Sequence, residues 1–141
     1  MIIKKRNYVN IYRDQGQPFM VSEWHRLASA QSCQQINEFA SGFVNDNHLG
    51  GYMADYTRLE PLGEAENAWQ IRHLLQEAEQ VKVRFFAFVA PDSAFFNHLK
   101  AVLSHLASYE GNGRTLKAFS SCEMAEAWLR EVAVTADSIA V

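Results

Sequence analysis

Directly after Arg84 the chain reads Phe85-Phe86-Ala87-Phe88-Val89-Ala90, apolar at every position. Successive side chains of a strand point to opposite faces of its sheet. A run this short and apolar at both parities therefore needs cover on both faces, which marks a central strand in a sheet flanked by helices. The strand is read over residues 81–90.

Segments of strand and helical period alternate on either side of it. Residues 6–13 alternate weakly around Tyr8, Ile11 and Tyr12, and the turn signal Asp14-Gln15-Gly16-Gln17-Pro18 follows. Residues 19–27 carry Phe19, Val21, Trp24 and Leu27, so the two segments predict an antiparallel N-terminal hairpin. Ser29 is a suitable N-cap for a helix with Cys33, Ile36, Phe39, Ala40, Phe43 and Val44 at helical spacing, closed by Asn45-Asp46-Asn47 and Gly50-Gly51. YMADYTRL, residues 52–59, predicts a third strand, and Pro61 and Gly63 close it. A second helix over residues 64–80 carries Ala65, Ala68, Trp69, Ile71, Leu75 and Ala78. A third, over residues 92–109, has Phe95, Leu99, Val102 and Leu106 as its inner stripe and stops at Gly111 and Gly113. Residues 114–119 predict a short fifth strand. Ser120 and Glu123 then form a capping box for a last helix, with Phe119 stapled onto Met124 and Trp128 and Val132 on its buried face.

The predicted order is β-β-α-β-α-β-α-β-α: an α/β fold with a mostly parallel five-stranded sheet, right-handed crossovers and an antiparallel N-terminal edge hairpin. One domain is expected over residues 1–141, with its core at 19–129 and the mildly apolar tail 133–141 unassigned.

Charge and cysteine use narrow the function classes. The net charge is −3, and the only basic cluster, Lys4-Lys5-Arg6, is expected to solubilise the terminus, so no nucleic-acid partner is expected. The start MIIKKRNYVNIYR lacks a secretory apolar region, and no apolar run approaches the roughly 20 residues of a membrane span. A cytoplasmic protein is expected. Cys33 and Cys122 form no C-x-x-C pair and read as small core residues in a reducing compartment.

Three stretches carry a resemblance to the small STAS-like domains, the group of anti-sigma-factor-antagonist relatives and proteins related to the CRAL-TRIO lipid-transfer fold. WHRLASAQSCQQINEFA (residues 24–40) resembles the family's second strand running into a Ser- or Thr-capped helix. YMADYTRLEPLGEAENAW (residues 52–69) is similar to its central strand, where an aspartate precedes a turn and a helix. FFAFVAPDSAFFNHLKAVLSHLASYEGNGRTLKAFSSCEMAEAWL (residues 85–129) resembles its closing strand-helix-strand-helix. The resemblance implies a regulatory interaction module. Its phosphorylated members carry an Asp-Ser-Ser-Gly-like turn after the central strand. Here the matching turn is Glu60-Pro61-Leu62-Gly63, without a hydroxyl, and Thr57 is read as lying within the strand, so a phosphoswitch at this turn is not expected.

Each candidate for chemistry has a structural reading beside it. In Ala90-Pro91-Asp92-Ser93, a nucleophilic Ser93 would need a glycine-flanked elbow and a nearby base. Neither flank is glycine, and His98, five residues on, points away from it, so Asp92 or Ser93 is expected to cap the helix. His98 and His105 are seven apart, about 10.5 Å along a helix, too far to share one metal ion. No metal or cofactor is expected. Asp55, Glu60, Glu64 and Glu66 cluster near one helix start, where carboxylates complement the macrodipole without doing chemistry. Phe85, Phe86, Phe88, Phe95 and Phe96 exceed what one apolar face needs. Core packing against the hairpin is the first reading of that surplus, a homodimer seam the second and a small lipophilic pocket the third.

The expected function is thus a non-enzymatic cytoplasmic interaction module. Its working surface should lie at the carboxyl ends of the parallel strands, at residues 57–63, 91–94 and 120–122, with Thr57, Glu60, Asp92, Ser93, Phe95, Phe96 and Ser121 as contact residues. The alternative is a binder of a small lipophilic ligand. An enzyme would need Asp55, Asp92 or a histidine to converge in one cleft.

Overall fold

The computed structural model describes residues 1–14, 16–59, 64–91, 93–110 and 113–140, with only the backbone for residues 64–66, 107–110 and 134–140. The elements are β1 (Ile2–Lys5), β2 (Val9–Tyr12), β3 (Phe19–Trp24), α1 (Ala30–Asp46), β4 (Gly51–Asp55), α2 (Glu64–Gln80), β5 (Phe85–Val89), α3 (Ala94–Glu110), β6 (Thr115–Phe119) and α4 (Cys122–Ala140). They form one mixed sheet in the order β1-β2-β3-β4-β5-β6. β1, β2 and β3 pair antiparallel, and β3 to β6 pair parallel.

Among the described residues six strands replace the expected five. The extra one is β1, within the stretch read only as a basic terminus; it is short, basic and at the edge, the form in which a sheet margin resists further pairing. Lys4 is not simply solvated either, since its ammonium lies 4.4 Å from the centre of the Phe39 ring on α1. The tail with no assigned structure continues α4 to Ala140.

Because β3, β4, β5 and β6 are added in one direction, crossovers of one hand place α1, α2 and α3 on the same face. That face holds the larger core, with Met20, Tyr52, Phe86 and Leu116 in one cross-strand row. α4 covers the other face, where Ala125 and Leu129 pack on Phe19, Val21, Met53, Ala87 and Val89. This double cover accounts for the phenylalanine surplus. Phe85 turns to α4 and meets the edge of Trp128 at 5.9 Å, while Phe86 and Phe88 turn the other way against Tyr52 and Tyr56. On α3 the buried stripe is Phe96, Leu99 and Leu103; Phe95, Val102 and Leu106 are half-buried, so the helix is rotated from the stripe its sequence suggests.

Helix ends are set by local hydrogen bonds. Ser29 Oγ accepts from the Ser32 N–H at 3.1 Å and caps α1 as expected. At its other end Leu49 N–H donates to Val44 O and His48 N–H to Asn45 O, the paired bonds of a Schellman ending. Glycine usually takes the left-handed position of that motif, yet here it is His48, at φ 54°. His48→Gly should therefore raise stability by about 1 kcal/mol. A chemical-denaturation midpoint no higher than wild type would contradict this. For α4 the cap is Ser121, whose Oγ accepts from Met124 N–H at 3.2 Å, and not Ser120. Met124 is 60% exposed, so the expected staple onto Phe119 is not made.

Candidate functional site

α2 turns inward a stripe that its apolar residues do not reveal. Gln70, His73 and Glu77 are buried beside Leu74 and Ala78, while Ala68 and Leu75 are exposed and Trp69 and Ile71 half-buried. Glu77 is fully enclosed. The Trp24 indole donates to its Oε2 at 3.1 Å, the Tyr52 hydroxyl donates to the same oxygen, and the Tyr56 hydroxyl donates to Oε1 at 2.8 Å. Ser22 is hydrogen-bonded to the Tyr52 hydroxyl, and His73 Nδ1 to that of Tyr56. The His73 ring stacks on Trp69 at 4.7 Å and meets the edge of Trp24 at 4.2 Å.

Electrostatics in this network follow from burial. Loss of water pushes the Glu77 carboxyl up to about 7, and its three donors pull the other way. The same loss pushes His73 down to about 3. Burial, and then the neighbouring Glu77, raise both Tyr52 and Tyr56. His73 Nδ1 is 3.8 Å from Glu77 Oε1, but the imidazole is neutral over the ordinary pH range. The network ties β3, β4 and α2 together and is closed to solvent. Sequence reasoning missed it. The available signal was a His-x-x-x-Glu spacing beside Leu74 and Ala78, opposite strands supplying Trp24, Tyr52 and Tyr56.

Toward the carboxyl ends of the strands the network gives way to open space. Between the first turns of α2 and α3 lies a cleft of about 310 Å³, bordered by Tyr56 just past β4. Leu59, Pro91, Phe95 and Phe96 supply apolar walls, and Asn67 and Gln70 supply amides. Ser93 is also at the cleft, but its Oγ accepts from the Phe96 N–H at 3.0 Å, so the hydroxyl caps α3. The helix-cap reading of this serine is the observed one.

Other expected contact residues lie on the α4 side. β4 ends at Asp55, so Thr57 sits in the turn and not within the strand. Its N–H and hydroxyl both donate to Asp55 Oδ1, at 2.9 and 2.6 Å, an Asx turn that occupies that oxygen. Beside them burial, and then Asp55, push the Cys122 thiol up to about 12, which disfavours the reactive thiolate. Ser121 is spent on its cap. Glu60 and Asp92 lie outside the described residues, as do the side chains of Glu64 and Glu66. The strand ends therefore divide the expected surface: Ser93, Phe95 and Phe96 gather at the cleft, and Thr57 and Ser121 on the opposite face.

The histidines are dispersed as well. His73 is in the core, His25 is 2.8 Å from Glu23, His48 ends α1, His98 lies by the Phe95 ring, and His105 lines a groove with Leu75.

No family model matches the chain, and no curated protein does. One solved structure that resembles it is an uncharacterized protein from the DUF3478 family with a SpoIIAA-like fold, from Shewanella loihica PV-4. The match covers 90% of this chain and 98% of that one, with a TM-score of 0.50 and 13% identity. The fold is SpoIIAA-like. Identity this low concerns the fold alone. Within the SpoIIAA-like frame, which is the STAS-like arrangement, the described residues form a six-stranded mixed sheet with four helices. Among the described residues no helix is long and apolar enough to cross a membrane.

Proposed function

We propose that this SpoIIAA-like chain is a non-enzymatic cytoplasmic regulatory module that binds a protein partner over the cleft at the ends of β4 and β5. The observation that carries the reading is the division of labour at the strand ends. Ser93, Ser121 and the Asp55 oxygen that holds Thr57 are committed to the chain's own turns and caps, while half-buried Leu59 and Phe95 border an open cleft. Such a rim offers apolar contact and few free reactive groups, which suits recognition better than catalysis. Positions 60–63 carry no hydroxyl, and Thr57, the hydroxyl that the turn after β4 does hold, donates to Asp55, so regulation here would run through occupancy and not phosphorylation of that turn. A lipophilic carrier has less support, because Phe85, Phe86, Phe88 and Phe96 are used in packing.

Photo-crosslinking residues introduced at Leu59 and at Phe95 should capture one discrete partner in the native cell, and one at exposed Gly42 on α1 should not. Equal capture at all three positions, or capture at none, would sink the reading.

A further inference from the structure

We infer that the cleft between α2 and α3 is a binding site for an uncharged ligand group that joins a small planar apolar ring to a carboxamide-like donor–acceptor edge. The reasoning starts from Gln70. Its side chain is 7% exposed and lines the cleft, yet its amide makes no hydrogen bond among the described residues. Neither atom of that amide is among the enclosed, unpartnered ones, so both are reached from the cleft and stand open to a partner there. The contrast along α2 is informative. Gln70, His73 and Glu77 stand at i, i+3 and i+7 on one buried stripe. Glu77 and His73 Nδ1 find Trp24, Tyr52 and Tyr56, His73 Nε2 is enclosed without a partner among the described residues, and the Gln70 amide, at the open end, has none among them either.

The lining narrows the ligand. A carboxamide offers one acceptor oxygen and an NH₂ donor, and another amide edge is its two-point complement. Asn67, one turn before Gln70, brings a second amide to the same cleft. No described residue of the lining carries a formal charge, so none of them would offset the water that a charged ligand loses. Leu59, Phe95, Phe96 and Leu99 provide an apolar bed. The volume of about 310 Å³ is at the small end of ligand sites and suits one ring better than an acyl chain. The same chemistry can arrive as a free small molecule or as an aromatic–amide pair of side chains.

Benzamide is the probe. Titrated into the ¹⁵N-labelled full chain, it should give saturable shifts at the Gln70 side-chain amide and at Leu59, Phe95 and Phe96, with a Kd on the order of 1 mM. Benzoate, with the same ring and a charge, should bind about tenfold more weakly or worse, and Gln70→Leu should weaken benzamide by about tenfold. Gln70→Leu removes an amide that bonds to no described residue, so its melting temperature should equal or exceed wild type; should it fail to fold, the benzamide–benzoate comparison on wild type still decides. An N-acetylated, amidated Phe-Gln dipeptide binding more tightly than benzamide would make the source a peptide, and the reverse order a free small molecule. No saturable shift, equal binding of benzoate, or full benzamide affinity in a folded Gln70→Leu chain would overturn the inference. Benzamide binding without any crosslinked partner would sink the proposed protein-interaction role and leave this site standing.

Discussion

Replacing Glu77 by leucine is expected to destabilise the protein by about 3–5 kcal/mol, a large share of a domain's total. Volume is roughly kept, so the loss is one of hydrogen bonding. The Trp24 indole N–H has the carboxylate as its acceptor and would be left buried and unpaired; Tyr52 and Tyr56 would each lose a bond while keeping Ser22 and His73. Removing one side of a buried network costs the desolvation of what remains. A urea-denaturation stability within 1 kcal/mol of wild type would show that the network contributes little. Glu77→Gln is milder at neutral pH, since one oxygen is retained for Trp24 and Tyr52, but it should change the pH profile. Glu77's folded value is raised from 4.5 to about 7, so its contribution is full below 4.5 and lost as pH rises through about 7. His73's is lowered from 6.5 to about 3, so its contribution is full above 6.5 and lost as pH falls through about 3. Between pH 4.5 and 6.5 the two cancel, because the pair holds one proton in both states: on the histidine when unfolded, on the glutamic acid when folded. Glu77→Gln exposes the histidine's side of that balance. Its stability relative to wild type should climb by about 3 kcal/mol from pH 4.5 to 6.5. Parallel profiles for the two proteins would refute the coupling.

Gly51→Val should destabilise by about 3 kcal/mol or prevent folding. A Cβ at position 51 would lie 2.9 Å from Phe19 Cβ, 3.1 Å from Leu129 Cδ2 and 3.3 Å from Ala133 Cβ. The first contact is with the neighbouring strand and the other two are with α4, so both the β3–β4 pairing and the seat of the helix on that face would have to shift. Gly42 is the control. It sits within α1, where an added Cβ would meet nothing within 4 Å, so Gly42→Ala should stabilise by about 0.5–1 kcal/mol. Thermal melts of the two variants should move in opposite directions. A Gly51→Val protein that melts with wild type would mean that α4 is not seated as described.

The two substitutions also separate what pattern can and cannot reveal. The apolar run at Phe85–Val89 required cover on both faces, and both faces are covered. Ser29 and the alternation of strands with helices were equally legible, because caps and periodicity act within a few residues. β1 was not, since a four-residue basic edge strand differs little from a solvated terminus until β2 is beside it. The cap of α4 moved by one residue because Ser120 and Ser121 are chemically alike and only the chain's path into the helix distinguishes them.

For the site the division is sharper. The assignment of Ser93 to a helix start was legible in the residues and is observed, because a cap depends on local order along the chain; the carboxyl ends of the parallel strands are where the proposed surface was expected on the same local grounds. Which face of α2 is buried was decided only in three dimensions. Its apolar residues suggested one stripe, but Trp24 on β3, Tyr52 on β4 and Tyr56 just past β4, up to 53 residues away, offered donors that draw Glu77 and His73 inward. A buried carboxylate is tolerable only where its partners converge, and convergence is a property of packing. The same rotation carries Gln70 to the edge of the cleft, where no described residue partners its amide.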